Sequence, residues 1–262
     1  MKIKEITNYL EKIAPLSYQE SYDNCGLIIG DEDTIVNAAL ITLDCTEAVV
    51  DEAIDAGCNL IISHHPIIFT GLKKINGKNY IERTIIKAIK NNIAVYAMHT
   101  NLDNLDSGVS AKIADKIGLI NRTVLRPKDP NRSMNIGSGI FGELVKSIKS
   151  ELFLKELKNI MFTDCIRHTL LVRPNIKKVA VCGGSGSFLI SNAKALDADI
   201  FISADFKYHD FFDADHKLII ADIGHYESEQ FTKELIYDLL TKNFTRFAVQ
   251  LSKLNTNPIK YL

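Results

Sequence analysis

The chain has 262 residues, enough to bury a substantial core as one large domain or two modest ones, and this excludes a small stapled scaffold. Apolar residues make up 46% and charged residues 24%, and the formal net charge is −1, so nothing global attracts polyanions and dedicated nucleic-acid binding is not indicated. The five cysteines, Cys25, Cys45, Cys58, Cys165 and Cys182, form no CxxC pair, and most lie in apolar runs; they read as reduced core thiols of a cytoplasmic protein.

Ile3, Ile6, Leu10 and Ile13 recur at helical spacing, which predicts an amphipathic N-terminal helix rather than a signal peptide. No stretch approaches the ~18 uncharged apolar residues of a membrane span. Gly26–Gly30 is short and β-like. Ala38–Leu43 then reads as a strand, Thr46 as the N-cap of a helix to about Ala56, residues 58–63 as a second strand, 81–91 as a helix and Ile93–Met98 as a third strand ending at His99. Such a βαβαβ run with near-continuous apolar strands predicts an α/β fold with a parallel sheet covered on both faces. Arg126–Arg132 contains two prolines and reads as a surface loop. Strands follow at Ile140–Leu144 and Arg167–Val172, separated by a helix at about 150–162. Lys178–Cys182, a helix near 187–196, Asp199–Ser203 and a strand ending near His225 then repeat the first series. Aligning Asn59–His65 with Asp199–Asp205 suggests a weak internal duplication.

His64, His65, His99 and His225 all follow predicted apolar strands, at the strand ends where open α/β sheets bind ligands. His99 opens a polar turn that offers Asp103, and a helix starting near Tyr226 would carry Glu229 one turn beyond His225. Imidazoles with carboxylates suit zinc, iron, manganese, nickel or cobalt. Adjacent histidines chelate one ion poorly, but each can bind its own if two ions sit ~3.5–4 Å apart and share a bridging carboxylate. Cys182–Ser187 lies between a strand and a helix. Its glycines read as a tight turn or, alternatively, as a phosphate cradle. The polar and aromatic cluster Asp205–Asp210 offers Lys207 and His209 to a substrate pocket.

Three stretches, Ser63–Phe69, His99–Asp103 and Gly224–Glu229, resemble the signatures of the Nif-three-like family, often catalogued as GTP cyclohydrolase 1 type 2 homologs. Weaker matches are Tyr22–Leu27, Cys182–Gly186 and Lys207–Asp210, so the likeness runs essentially the full length. The resemblance implies two similar α/β/α halves with mostly parallel sheets and a metal site in the cleft between them. It puts the metal ligands at His64, His65, Asp103, His225 and Glu229, and it implies a homohexameric ring. It places the halves at 1–125 and 126–262, with the C-terminal segment packing on the first and no inserted third domain. The expected function is a dinuclear metal-dependent hydrolase acting on a nucleotide or other small phosphorylated substrate, with His99 as a proton shuttle or orienting group. A metal-binding adaptor without turnover is the alternative.

Overall fold

The computed structural model describes residues 1–128 and 136–262; the latter part of the expected 126–132 loop falls outside the described residues. Two compact units are present, Met1–Leu102 with Thr232–Pro258, and Asp103–Phe231 with Ile259–Leu262.

The first unit contains α1 (Ile3–Ile13), β1 (Gly26–Ile29), β2 (Ala38–Thr42), α2 (Glu47–Asp55), β3 (Leu60–Ser63), α3 (Tyr80–Lys90), β4 (Ala94–Ala97) and the start of the single turn α4 (Thr100–Asp103). Thr46 caps α2 as expected, its side chain accepting the Val49 N–H. β2, β3 and β4 run parallel, and β1 closes one edge antiparallel to β4. Alternate strand residues serve opposite faces. Leu40, Ile61 and Val95 pack with Val49 and Val50 of α2 and with Ile85 of α3, while Ile41, Ile62 and Tyr96 are also fully buried. Tyr96 is tied to α1 by its hydroxyl, 3.3 Å from Glu11. Burial on both faces explains why these strands are apolar throughout instead of alternating.

The second unit holds α5 (Val109–Ile117), β5 (Ile120–Pro127), β6 (Gly137–Lys149), α6 (Ser150–Ile160), β7 (Arg167–His168), β8 (Asn175–Ser185), α7 (Ile190–Ala195), β9 (Ile200–Ala204), β10 (Ile219–Asp222) and α8 (His225–Glu229). Its strand order is β5-β6-β8-β9-β10-β7, with β8, β9 and β10 parallel and the other pairings antiparallel. Val179, Val181 and Ile202 face α5 and α6; Ala180, Cys182 and Phe201 face α7. The chain then returns to the first unit through α9 (Thr232–Asn243) and β11 (Ala248–Leu251), which extends that sheet parallel to β2.

The first change of unit falls at Leu102/Asp103, earlier than the 125/126 division expected. Asn104 explains this: its carbonyl accepts from Gly137 N at 2.9 Å, its side chain bonds Ser138, and Ile113 and Ala114 of α5 lie in the second core. Two further expectations are corrected. Arg126 and Pro127 belong to β5, and of the strand expected over 167–172 only Arg167 and His168 pair, against Asp222 and Ala221.

The internal duplication is present as a four-strand repeat. In the first sheet Leu27, Tyr96, Ile62 and Ile41 lie in one cross-strand row; in the second, His168, Ala221, Ile202 and Val181 do. Each set is an antiparallel edge strand beside three parallel strands taken in the same chain order.

Gly30, one residue past β1, has φ +117°, and a Cβ there would stand 2.6 Å from the Cβ of Ala94. Gly30→Ala should therefore cost at least about 1–3 kcal/mol of backbone strain and lift β1 from β4. Urea unfolding of the two proteins measures the loss.

Candidate metal centre

In the first unit the carboxyl ends of β2, β3 and β4 stay hydrogen-bonded beyond the strands. Thr42 and Leu43 carbonyls accept the His64 N–H, Leu43 also accepts that of His65, and Met98 N donates to Ser63 O. This backbone continuity holds the histidine pair in place. His64 is fully buried, and its Nδ1 lies 2.7 Å from the Met98 carbonyl, which can only accept. Nδ1 therefore carries the proton, and the ring's lone pair is on Nε2. His65 Nδ1 lies 2.7 Å from Asp44 Oδ1, and His99 Nδ1 lies 2.8 Å from Asp23 Oδ1. The three rings cluster with centroids 4.9 to 5.3 Å apart, and each offers a ligand atom within 4.8 Å of the others.

Asp23 is the most elaborately held of the supporting carboxylates. Burial works against its charge, but bonds from His99, the Thr100 hydroxyl and Cys25 Sγ outweigh that and keep the carboxyl well below the usual range. The Thr100 N–H adds a further bond at 3.0 Å. An ionised Asp23 fixes the His99 ring and its tautomer.

The second unit presents a different set. Glu229 ends α8 and is buried, with Oε2 3.0 Å from His225 Nε2; the other ring nitrogen of His225 lies 2.6 Å from Asp205 Oδ2. Burial disfavours a charged His225, yet Glu229 and Asp205 on either side prevail and push its pKa up to about 11. His225 Nε2 and Glu229 Oε2 thus face each other at 3.0 Å, and imidazole nitrogen and carboxylate oxygen are both atoms that can hold a divalent ion. Asp103 also offers an oxygen within 4.8 Å of Glu229.

The glycine-rich stretch is neither a tight turn nor a phosphate cradle. Gly183, Gly184 and Ser185 complete β8, and the β8–β9 register shifts between Val181 and Ser185. Gly184 has φ +62°, and a Cβ on it would collide with the Glu229 carboxylate. Its N–H donates to Ser228 Oγ at 2.8 Å, and its carbonyl accepts from Ser203. The glycine is there because the ligand-bearing helix lies directly against the strand.

The thiols are placed beside these carboxylates without joining the donor set. Burial pushes Cys25, Cys45 and Cys182 up to about 12, helped by Asp23, by Asp44, and by Asp103 and Glu229 respectively. Cys165 departs from the expected core role and is exposed. Lys207 and His209 are also exposed, on a 3₁₀ turn spanning Tyr208–Ala214 and just before it; the His209 ring packs against Tyr208. A cavity of about 740 Å³ in this unit is lined by Arg167, Tyr208, Phe211 and Phe212 among others, and none of the candidate ligands lines it.

Asp23, Asp44 and Asp205, which hold the histidines, were not assigned that work from the sequence. The available signal was the one that found the histidines, since Asp44 and Asp205 also stand just beyond apolar strands. Gly184→Ala should displace Glu229 and weaken divalent-metal binding by at least about tenfold, as measured by calorimetric titration of chelator-treated protein.

The family model of Duf34/NIF3 (NGG1p interacting factor 3) matches residues 1–258. A Clostridium perfringens protein named GTP cyclohydrolase 1 type 2 homolog is 36% identical over 232 residues, 87% of each chain. A Campylobacter jejuni protein of the same name is 34% identical over the whole of both chains. The crystal structure of a Bacillus cereus protein related to NIF3 superposes with a TM-score of 0.92 at 25% identity, covering 100% of this chain and 99% of that one. The chain belongs to the Duf34/NIF3 family.

Proposed function

We propose that this protein is a dinuclear metal-dependent hydrolase. Two divalent transition-metal ions, of zinc, iron, manganese, nickel or cobalt, would be held by His64, His65, Asp103, His225 and Glu229. The substrate would be a nucleotide or another small phosphorylated compound. The observation that carries this reading is the fixed orientation of the imidazoles: Nδ1 of His64, His65 and His99 is engaged by a carbonyl or carboxylate, so that Nε2 is the donor of each. Structural histidines need no such uniform arrangement.

His64 and His65 are neighbours on a strand end and serve separate ions in this reading. Glu229, close to both His225 and Asp103, is the carboxylate suited to bridge. When bound, the ions supply Lewis acidity that draws the pKa of water towards neutrality. His99 then accepts and passes on a proton at Nε2 while Asp23 holds Nδ1. Lys207 and His209, exposed on the turn beyond Asp205, would meet an anionic part of the substrate in this reading. The relatives' shared name makes GTP the first compound to test. We further infer a cytoplasmic homohexamer, from the family resemblance of the three signatures; no helix among the described residues is long and apolar enough to cross a membrane.

Metal analysis of protein purified without added ions should find about two ions per chain, and His65→Ala should lose metal together with at least about 100-fold of any turnover found in a phosphoester and nucleotide screen. Turnover that survives in metal-depleted His65→Ala overturns the hydrolase reading. Stable metal without turnover on any compound supports the adaptor instead.

A further inference from the structure

We infer that Thr256 is a positioning residue for His65, acting through Asp44. The inference rests on the metal reading of His65 given above. Beyond β11 the chain crosses the carboxyl end of β2, where Ser252 N donates to Ile41 O at 2.8 Å. Four residues on, Thr256 Oγ1 lies 2.5 Å from Asp44 Oδ2, while Asp44 Oδ1 takes the Nδ1 proton of His65 at 2.7 Å. A hydroxyl, a carboxylate and an imidazole thus form one chain of hydrogen bonds, with the ligand atom Nε2 at its far end. Hydrogen bonds to an ionised acceptor are the short, strong kind.

Asp44 is more exposed than its counterpart Asp23. The Asp23 side chain is fully buried and takes backbone N–H groups from Asn24 and Thr100. The Asp44 side chain is a third exposed, so water can compete for its oxygens and the carboxylate can swing. With Oδ2 anchored, Oδ1 keeps its place against His65, and the ring keeps its tautomer and direction.

A purely structural role, fastening this segment to the unit, is the competing explanation. The segment already has its own anchors, because Glu52 accepts from Ser252 Oγ at 2.5 Å and from Lys253 N at 2.7 Å. Thr256 is therefore not required to hold the chain in place, and its contact falls on the carboxylate that touches His65.

The test uses the full chain, stripped of metal and labelled with ¹⁵N in its histidines, as wild type, Thr256→Val and Thr256→Ser. Wild type should show His65 as the Nδ1–H tautomer. Thr256→Val should show a tautomer mixture and bind Zn²⁺ about tenfold or more weakly, with Tm within about 2 °C of wild type. Thr256→Ser should restore both signals. A Thr256→Val protein with the wild-type tautomer and Zn²⁺ affinity within about twofold overturns the inference, as does a Thr256→Ser protein no better than Thr256→Val. If wild type binds no Zn²⁺ the metal reading fails, and the tautomer comparison still decides whether Thr256 holds His65.

Discussion

The site depends on one constraint above others: an imidazole offers a metal a defined lone pair only when its other nitrogen is committed. Here that commitment is made by groups at the carboxyl ends of β2 and β4 and at the amino end of the antiparallel β1. His64 is committed to a carbonyl just past β4, His65 to a carboxylate just past β2, and His99 to Asp23, just ahead of β1. Parallel pairing brings the ends of β2, β3 and β4 to one side of the sheet, so a local sequence of two histidines acquires partners from the two neighbouring strands. The apolar strands serve the site by being immobile. A sheet buried on both faces cannot slip in register without moving its whole side-chain set to the wrong face.

The same framework is built twice, and the two copies have diverged in chemistry more than in shape. The row positions that carry His65 in one copy carry Asp205 in the other, and Asp205 supports His225 at 2.6 Å instead of offering an imidazole. The single turns α4 and α8 follow the third parallel strand in each copy and bring Asp103 and Glu229. One copy is rich in imidazole and the other in carboxylate. Each framework has its own hydrophobic core.

Much of this was legible in the sequence. The parallel strands were visible because burial on both faces leaves uninterrupted apolar runs, and His64, His65, His99 and His225 stood out because they end such runs. Glu229 was legible because helical spacing puts it one turn from His225, and the ion pair at 3.0 Å is that relation in space. Gly184 was misread because the reason for it is a carboxylate 45 positions later, pressing on a strand from a helix. Local turn chemistry has no access to such a contact. β5 was missed because its burial is largely exposed along the strand, so it lacks the apolar run that marks the others. Asp44 and Thr256 were invisible as a pair for a similar reason, since 212 residues separate them and neither lies in a motif.

The buried cysteines share their surroundings with the candidate centre. Burial is the largest cause of the raised thiol pKa at Cys25, Cys45 and Cys182. Cys25, Cys45 and Cys182 each owe part of that shift to a carboxylate of the ligand network, so the anions that favour a hard or borderline cation also keep the neighbouring sulfurs protonated. Carboxylates that hold imidazoles in the candidate centre thus also lower the acidity of the thiols beside them.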